Sequence, residues 1–149
     1  MTTSAEVDIA VTQLQGKSPQ EVLTWALDKF HPHVSLASSF GAEDVVLIDM
    51  MASIRPDACV FTLDTGRLPG ETYDVMSAIA KKYPQMQIKT MFPQTETVQN
   101  MVQEHGINLF YDSVENRKLC CQLRKVEPLN RALEGLQAWI TGLRRDQTN

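Results

Sequence analysis

Short apolar runs alternate with amphipathic stretches along the chain, and this alternation predicts strands and helices in turn. The strand candidates are residues 33–38, 58–63, 87–92 and 138–142. The helix candidates are residues 5–16, 18–30, 43–54, 71–83, 95–105 and 114–135, the last interrupted near Pro128. Continuous apolar runs such as 58–63 suit strands that are buried on both faces of a parallel sheet. We therefore expect an α/β fold with a mainly parallel open sheet and helices on both faces.

Composition narrows the class of protein. The chain has 149 residues, of which 43% are hydrophobic and 21% charged, as expected for one globular domain and not for a disordered chain. The apolar runs are too short to cross a bilayer, so no membrane partner is expected. The N-terminus carries Glu6 and Asp8 and lacks the basic start of a targeting peptide, which predicts a cytoplasmic protein.

The charges are distributed unevenly. Residues 1–116 carry 7 basic and 15 acidic side chains, whereas residues 117–149 carry 7 basic and 3 acidic side chains. A basic segment on an acidic protein suggests a local anion site and not a nucleic-acid surface. The alternative interpretation is a solvated helix with scattered Lys and Arg, and charge alone favours it.

Two loops follow consecutive predicted strands. The first contains Ser38, Ser39, Phe40 and Gly41 and leads into a helix. Its hydroxyls and the first helical N–H groups can hold phosphate or sulfate oxygens, with Gly41 allowing close backbone approach. It lacks the Gly-Lys-Ser/Thr ending of a Walker A motif, and a plain strand-to-helix turn is an equal alternative.

The second loop contains Leu63, Asp64, Thr65 and Gly66. A tight turn capped by the Asp side chain is the alternative to a ligand-binding role. Because open α/β sheets bind ligands at the carboxyl ends of their strands, two such loops on neighbouring strands favour a shared nucleotide crevice.

Chemistry-bearing residues also lie near the C-terminus. Cys120 and Cys121 are adjacent within a basic stretch that includes Arg124 and Lys125, and Cys59 is the third cysteine. The pair is consistent with iron–sulfur ligation, with a strained vicinal disulfide, or with one buried and one exposed thiol on a helix. A bare cysteine pair favours the last interpretation.

The final motif contains Gly142, Arg144 and Arg145 after the last predicted strand. Two guanidinium groups at the edge of a sheet suit anion recognition, and a charged C-terminal tail is the alternative.

Taken in this order, the four motifs resemble the phosphoadenylyl/adenylyl-sulfate reductase family over residues 33–147. The resemblance implies an adenine nucleotide alpha hydrolase-like (PP-loop-like) fold, with residues 1–32 as an N-terminal helical segment and 33–149 as an incomplete nucleotide-binding α/β domain. It implies a substrate-binding set of Ser38, Ser39, Phe40, Gly41, Leu63, Asp64, Thr65, Gly66, Arg124, Lys125, Gly142, Arg144 and Arg145.

The cysteine pair is similar to the adenylyl-sulfate branch of the family. That branch implies adenosine 5′-phosphosulfate as substrate and a [4Fe–4S] cluster, for which Cys120 and Cys121 are two of four ligands. It also implies that a C-terminal cysteine attacks the sulfate sulfur and expels AMP. Thioredoxin or glutaredoxin then reduces the thiosulfonate and releases sulfite, in sulfate assimilation for cysteine biosynthesis. We expect Lys125, four residues after Cys121, to lie near both cluster and substrate.

The sequence departs from the family's pattern after the arginine-rich motif. It has no second cysteine pair and no C-terminal Glu-Cys-Gly motif, so we expect an N-terminal fragment without the catalytic nucleophile, inactive alone. A cluster-free reductase of 3′-phosphoadenosine 5′-phosphosulfate and a non-catalytic nucleotide-binding or partner module remain alternatives. The sequence leaves the oligomeric state open, including a homo-oligomer.

Overall fold

Seven α-helices and four β-strands alternate within residues 3–147, which the computed structural model describes apart from the side chain of Arg145. The helices are α1 Ser4–Leu14, α2 Pro19–Phe30, α3 Ala42–Ile54, α4 Gly70–Lys82, α5 Thr95–His105, α6 Val114–Cys121 and α7 Glu127–Leu133. The strands are β1 Val34–Ala37, β2 Cys59–Leu63, β3 Gln87–Met91 and β4 Ala138–Thr141. Single 3₁₀ turns occur at Leu109–Tyr111 and Arg145–Gln147.

The four strands form one parallel sheet in the order β3-β2-β1-β4. Leu36 of β1 pairs with Val60 of β2 on one side and with Ile140 of β4 on the other. The chain adds β2 and β3 on one side of β1 and then returns to add β4 on the opposite side. Such a reversal of strand order opens a crevice at the carboxyl ends of the strands, where α/β sheets bind ligands.

Alternate residues of the strands fill two separate hydrophobic cores. Leu36 and Val60 lie in the core that α2, α3 and α4 cover, represented by Leu27, Ile48 and Ile79. A second core contains Phe61, Met91 and Ala132, the last from α7. Burial on both faces explains why β1 and β2 are mainly apolar, whereas the edge strand β3 keeps Gln87 and Lys89 exposed. The predicted sheet with helices on both faces is confirmed.

The two N-terminal helices differ in their packing. Ser18 caps α2 in a capping box with Glu21, and Pro19 is its first residue, as the sequence predicts. Leu23 and Leu27 of α2 are buried in the first core. Helix α1 has no buried residue. The division of the chain at residue 32 stays a prediction, although α2 packs with the sheet.

Helix α6 leads directly into a π-helical segment, Gln122–Val126, and then into α7. The Glu127 N–H donates to the Gln122 carbonyl oxygen, five residues back. Sequence analysis expected the helix to be interrupted near Pro128, but the helix instead widens before Pro128 and continues through it. A wide turn displaces the carbonyl that the proline ring would otherwise contact.

Among the helices of residues 3–147, none is both long enough and apolar enough to cross a lipid bilayer.

Candidate functional site

A cavity of about 610 Å³ lies at the carboxyl edge of the sheet. It gathers the ends of β1, β2 and β4 and one helix from the C-terminal half of the chain. Its lining residues are Ala37, Ser38, Ser39, Phe61, Thr62, Leu63, Thr65, Leu68, Thr72, Lys125, Leu129, Trp139 and Leu143. Lys125 is the one charged side chain among these described lining residues, which otherwise supply hydroxyl groups and apolar walls.

The loop after β1 is held together by its own side chains. The Ser38 Oγ accepts a hydrogen bond from the Phe40 N–H at 3.0 Å. The Ser39 N–H and Oγ both donate to Asp44 Oδ2, at 2.7 and 3.0 Å. Asp44 is 8% exposed and lies in the first turn of α3, where the helix dipole stabilises its carboxylate. The Asp44 carboxylate therefore takes donor groups that sequence analysis assigned to a ligand.

The backbone of this loop turns at Phe40, whose φ is 59°. A bulky residue rarely adopts this left-handed conformation, so the surrounding structure must compensate for its cost. Burial of the Phe40 ring in the first core and the hydrogen bond to Ser38 supply that compensation. Gly41 has φ −68° and serves as the N-cap of α3. Phe40 is thus a core residue, and it does not line the cavity.

The turn after β2 is tied to α4 through Tyr73 and to the π-helical segment through Arg124. Asp64 is 5% exposed and accepts hydrogen bonds from the Gly66 N–H at 2.8 Å and the Tyr73 hydroxyl at 2.9 Å. The hydrogen bond to Asp64 raises the pKa of the Tyr73 phenol. Gly66 has φ 74°, the left-handed region that favours glycine. Arg124 Nη1 donates to the Thr65 carbonyl oxygen at 2.8 Å from the far side of the turn.

Arg124 and Lys125, the two basic residues of the π-helical segment, lie in different environments. Lys125 lines the cavity, as a substrate-binding role requires. Arg124 is 8% exposed, lies beneath the turn and has no hydrogen-bond partner for its buried Nε within the described residues. Arg124 lines neither this cavity nor the one beside it. Its contact with substrate stays a prediction, while its contact with the turn is observed.

A smaller cavity of about 350 Å³ lies beside the first and shares Ala37, Ser39 and Leu143 with it. Glu43 and Asp44 line this second cavity, which makes it unfavourable for an anion. Gly142 also lines it and lies so close to Asp44 that an added Cβ would collide with Asp44 Oδ1.

Of the two arginines in the final motif, the structure describes the side chain of Arg144 only. Arg144 is 58% exposed and forms ion pairs with Glu43 at 3.6 Å and Asp146 at 3.5 Å. It lines neither of the two cavities. The side chain of Arg145 lies outside what the structure describes, so its assignment to the site stays a prediction.

The three cysteines differ in their exposure to solvent. Cys120 is 9% exposed and packs with Met101 and Leu109, whereas Cys121 is exposed. Within residues 3–147, no group of three or more His, Cys, Asp or Glu side chains is placed to hold a metal ion. The chain therefore supplies at most two thiolates of a four-thiolate cluster. Cys59 begins β2 and is half-buried, at the opposite end of that strand from the cavity.

Three apolar residues that line the cavity are not among the site residues predicted from the sequence. Trp139 on β4, Leu143 beyond it and Leu129 on α7 all line the cavity. Trp139 and Leu143 remain 48% and 67% exposed, so they offer accessible apolar surface beside the cavity. The available signal was their position, since Trp139 lies within the last predicted strand and Leu143 directly follows it. Thr72, at the start of α4, gave none.

The chain is similar to known sulfonucleotide reductases over most of its length. Residues 33–149 match the model of the phosphoadenosine phosphosulfate reductase domain. The chain is 46% identical over 118 residues to an adenosine 5′-phosphosulfate reductase of Neisseria meningitidis, covering 79% of this chain and 48% of the relative. It is 44% identical over 136 residues to the chloroplastic 5′-adenylylsulfate reductase 1 of Arabidopsis thaliana, covering 91% of this chain and 28% of the relative. The chain spans about half the length of the bacterial relatives it matches, and less of the plant ones.

A solved structure shows the same architecture. The crystal structure of a phosphoadenylyl-sulfate reductase from Candida auris, in complex with phosphate, superimposes with a TM-score of 0.81 at 30% identity. The superposition covers 100% of this chain and 72% of the Candida auris chain, which establishes the PP-loop-like α/β fold. On the domain match, the sequence identities and the shared fold, the chain belongs to the phosphoadenosine phosphosulfate reductase domain family.

Proposed function

We propose that this chain binds adenosine 5′-phosphosulfate and forms the nucleotide site of a reductase that converts it to sulfite and AMP. The observation that carries the proposal is the cavity at the carboxyl edge, which brings both polar loops together with Lys125 and an apolar wall. Its volume of about 610 Å³ is within the range of small-molecule sites. The names of the relatives supply the choice of substrate within the family.

The two sides of the cavity suit the two parts of a nucleotide. Trp139, Leu143 and Leu129 offer apolar surface on which a purine ring can stack. Lys125 and the hydroxyl groups of Ser38 and Thr65 suit the phosphosulfate. Negative charge accumulates on the AMP phosphate as its bond to sulfate breaks. In this proposal the Lys125 ammonium stabilises that charge where it develops.

In this proposal a [4Fe–4S] cluster is bound only in part by this chain, which supplies two of its four thiolate ligands. The two thiolates of Cys120 and Cys121 have the right chemistry, but the other two must come from outside the described residues. Cys120 would have to exchange its contacts with Met101 and Leu109 for a metal bond. A bound cluster would add negative charge, which Lys118 and Lys125 on the same helical segments would offset.

Isothermal titration calorimetry with adenosine 5′-phosphosulfate tests the binding proposal. We expect the wild-type chain to bind, and Lys125→Ala to bind about tenfold more weakly or worse, because a hydrogen bond to a charged group contributes about 1.5–3 kcal/mol. Lys118→Ala is the matched control: it removes one ammonium from α6 outside both cavities. Equal affinities for the two variants, or no binding by the wild type, would overturn the proposal.

Two further ligands separate the alternatives. Tighter binding of 3′-phosphoadenosine 5′-phosphosulfate would favour the other branch of the family, to which the Candida auris protein belongs by name. Equal affinity for AMP and for adenosine 5′-phosphosulfate would favour a nucleotide-binding module that ignores the sulfate. We expect adenosine 5′-phosphosulfate to bind most tightly of the three.

Sulfite release tests the catalytic part. None of the three cysteines lines the cavity, so no thiol of this chain is placed to attack the substrate sulfur. With thioredoxin as donor we expect no sulfite above background from the 149-residue chain. Sulfite release at a rate proportional to the concentration of this chain would contradict the assignment of residues.

Iron analysis tests the shared cluster. Reconstitution with iron and sulfide should leave this chain without a stable cluster, because it offers two thiolates at most. When this chain is reconstituted with a segment or partner that supplies two further thiolates, Cys120→Ser and Cys121→Ser should each lose the cluster, and Cys59→Ser should keep it. Full iron content in either of the first two variants would remove the cluster from the proposal.

A further inference from the structure

Arg67 follows the turn after β2 and reaches across to a segment some forty residues away. Its Nη2 donates to Asn108 Oδ1 at 3.0 Å, and its Nη1 donates to the Ile107 carbonyl oxygen at 3.3 Å. The guanidinium also stacks over the Phe110 ring, 4.6 Å from its centroid. These three contacts occupy the planar fork of the side chain, a use for which lysine is a poor substitute.

The backbone of Arg67 is part of the same turn. Its N–H donates to Thr65 Oγ1 at 3.3 Å, and the preceding Gly66 N–H donates to Asp64 Oδ1 at 2.8 Å. Thr65 lines the cavity, whereas Arg67 does not. A change in the position of Arg67 therefore reaches the cavity through the turn and not through a contact with its contents.

The opposite side of the turn is held by a second arginine. Arg124 Nη1 donates to the Thr65 carbonyl oxygen at 2.8 Å and would lie 3.1 Å from a Cβ added at Gly66. Arg67 holds the turn to the segment that precedes α6, and Arg124 holds it to the segment that follows α6. The turn is thus fixed between the two ends of the helix that bears the cysteine pair.

We infer that Arg67 is a positioning residue of the nucleotide site, which together with Arg124 fixes the Thr65–Gly66 turn against the cavity. The inference deepens the proposed function and rests on it for its effect on binding. Neither arginine has an acidic partner among the described ion pairs. Their contacts with the loops are to neutral oxygens and an aromatic ring.

Binding of adenosine 5′-phosphosulfate is measured by calorimetry for the wild type, Arg67→Ala and Arg67→Lys. We expect about tenfold weaker binding for Arg67→Ala, because small displacements of a binding group are costly. Arg67→Lys should be at least about fivefold weaker, because one ammonium cannot replace the fork. Arg55→Ala is the control, since Arg55 has the same charge and lies at the amino edge of the sheet.

Two readouts separate positioning from direct charge. If Arg67 touched the substrate anion, its removal would reduce the dependence of the dissociation constant on salt. We expect that dependence to be unchanged in Arg67→Ala. A double-mutant cycle with Asn108→Ala should be non-additive, because both variants remove the same contact. A reduced salt dependence, full affinity in Arg67→Lys or strict additivity would each overturn the inference.

Hydrogen exchange tests the inference without any ligand. The amide of Gly66 should exchange about tenfold faster in Arg67→Ala than in the wild type or Arg55→Ala, because the turn opens locally more often. Unchanged exchange at Gly66 would overturn the positioning role even if nucleotide binds. Faster exchange in a chain whose wild type does not bind the nucleotide would uphold the role of Arg67 and overturn the proposed substrate.

Discussion

Substitution of Gly142 by alanine tests how closely β4 and the loop after β1 are packed. The added Cβ would collide with Asp44 Oδ1 and would lie 3.5 Å from the Glu43 Cβ. Asp44 is 8% exposed and its other oxygen accepts both hydrogen bonds from Ser39. The carboxylate has little room to move, so the new methyl group must displace it from Ser39 or push β4 away from β1.

The magnitude follows from these two costs. Overpacking a buried site costs about 1–3 kcal/mol, and weakening hydrogen bonds to a charged group costs about 1.5–3 kcal/mol. Because displacing Asp44 relieves the clash, the two costs do not add fully. We expect Gly142→Ala to lower the free energy of unfolding by about 2–4 kcal/mol, which lowers the urea midpoint by about 1–2 M.

Urea unfolding followed by circular dichroism is the assay, with Gly70→Ala as the matched control. Nothing lies within 4 Å of a Cβ added at Gly70, in the first turn of α4, so alanine there should be neutral or slightly stabilising. The double variant Gly142→Ala with Asp44→Ala should be no less stable than Asp44→Ala alone. A free energy of unfolding for Gly142→Ala within about 0.5 kcal/mol of the wild-type value would refute the expected collision.

Three further predictions concern groups away from this contact. Iodoacetamide should label exposed Cys121 first, and half-buried Cys59 should react slowly at pH 8. Burial and the nearby Asp57 carboxylate raise the pKa of the Cys59 thiol. Its labelling rate, followed by mass spectrometry, should therefore keep increasing at pH values above the pKa of a free cysteine. Ser18→Ala should reduce stability by about 1 kcal/mol in urea unfolding through loss of the α2 cap, with Ser53→Ala as control. Tyr73→Phe should weaken nucleotide binding several-fold in calorimetry, because Asp64 loses one of its two donors.

The sheet was predictable because its signal is local. Strands β1 and β2 are mainly apolar, and burial in two cores explains why neither tolerates polar residues apart from Ser35 and Thr62. The edge strand β3 instead alternates exposed Gln87 and Lys89 with apolar residues. The two loops could be placed at one edge for the same reason, since parallel strands end on the same side. Strand order could not be read from this pattern, because a local run of residues does not show which other strand lies beside it.

The contacts within the site join residues that are far apart in the chain, and no local sequence pattern reveals them. The sequence predicted that Gly41 would be the residue of the first loop with an unusual backbone conformation. In the structure Phe40 takes the left-handed conformation instead. The buried ring fixes Phe40 in place, and burial of a ring in a distant core is not visible from the loop. Likewise Asp44 approaches Gly142 across nearly one hundred residues of chain.

The distribution of carboxylates favours one orientation of the proposed nucleotide. The larger cavity has Lys125 and no carboxylate among its described lining residues, whereas the smaller cavity beside it has Glu43 and Asp44. An anionic group is therefore stabilised on the Lys125 side and repelled on the other. Arg144 pairs with Glu43 at the surface, and such exposed pairs contribute about 1 kcal/mol at most. Because that pair costs little to break, we predict that an incoming phosphosulfate can recruit Arg144 in addition to Lys125, whereas buried Arg124 lies beneath the turn that it holds.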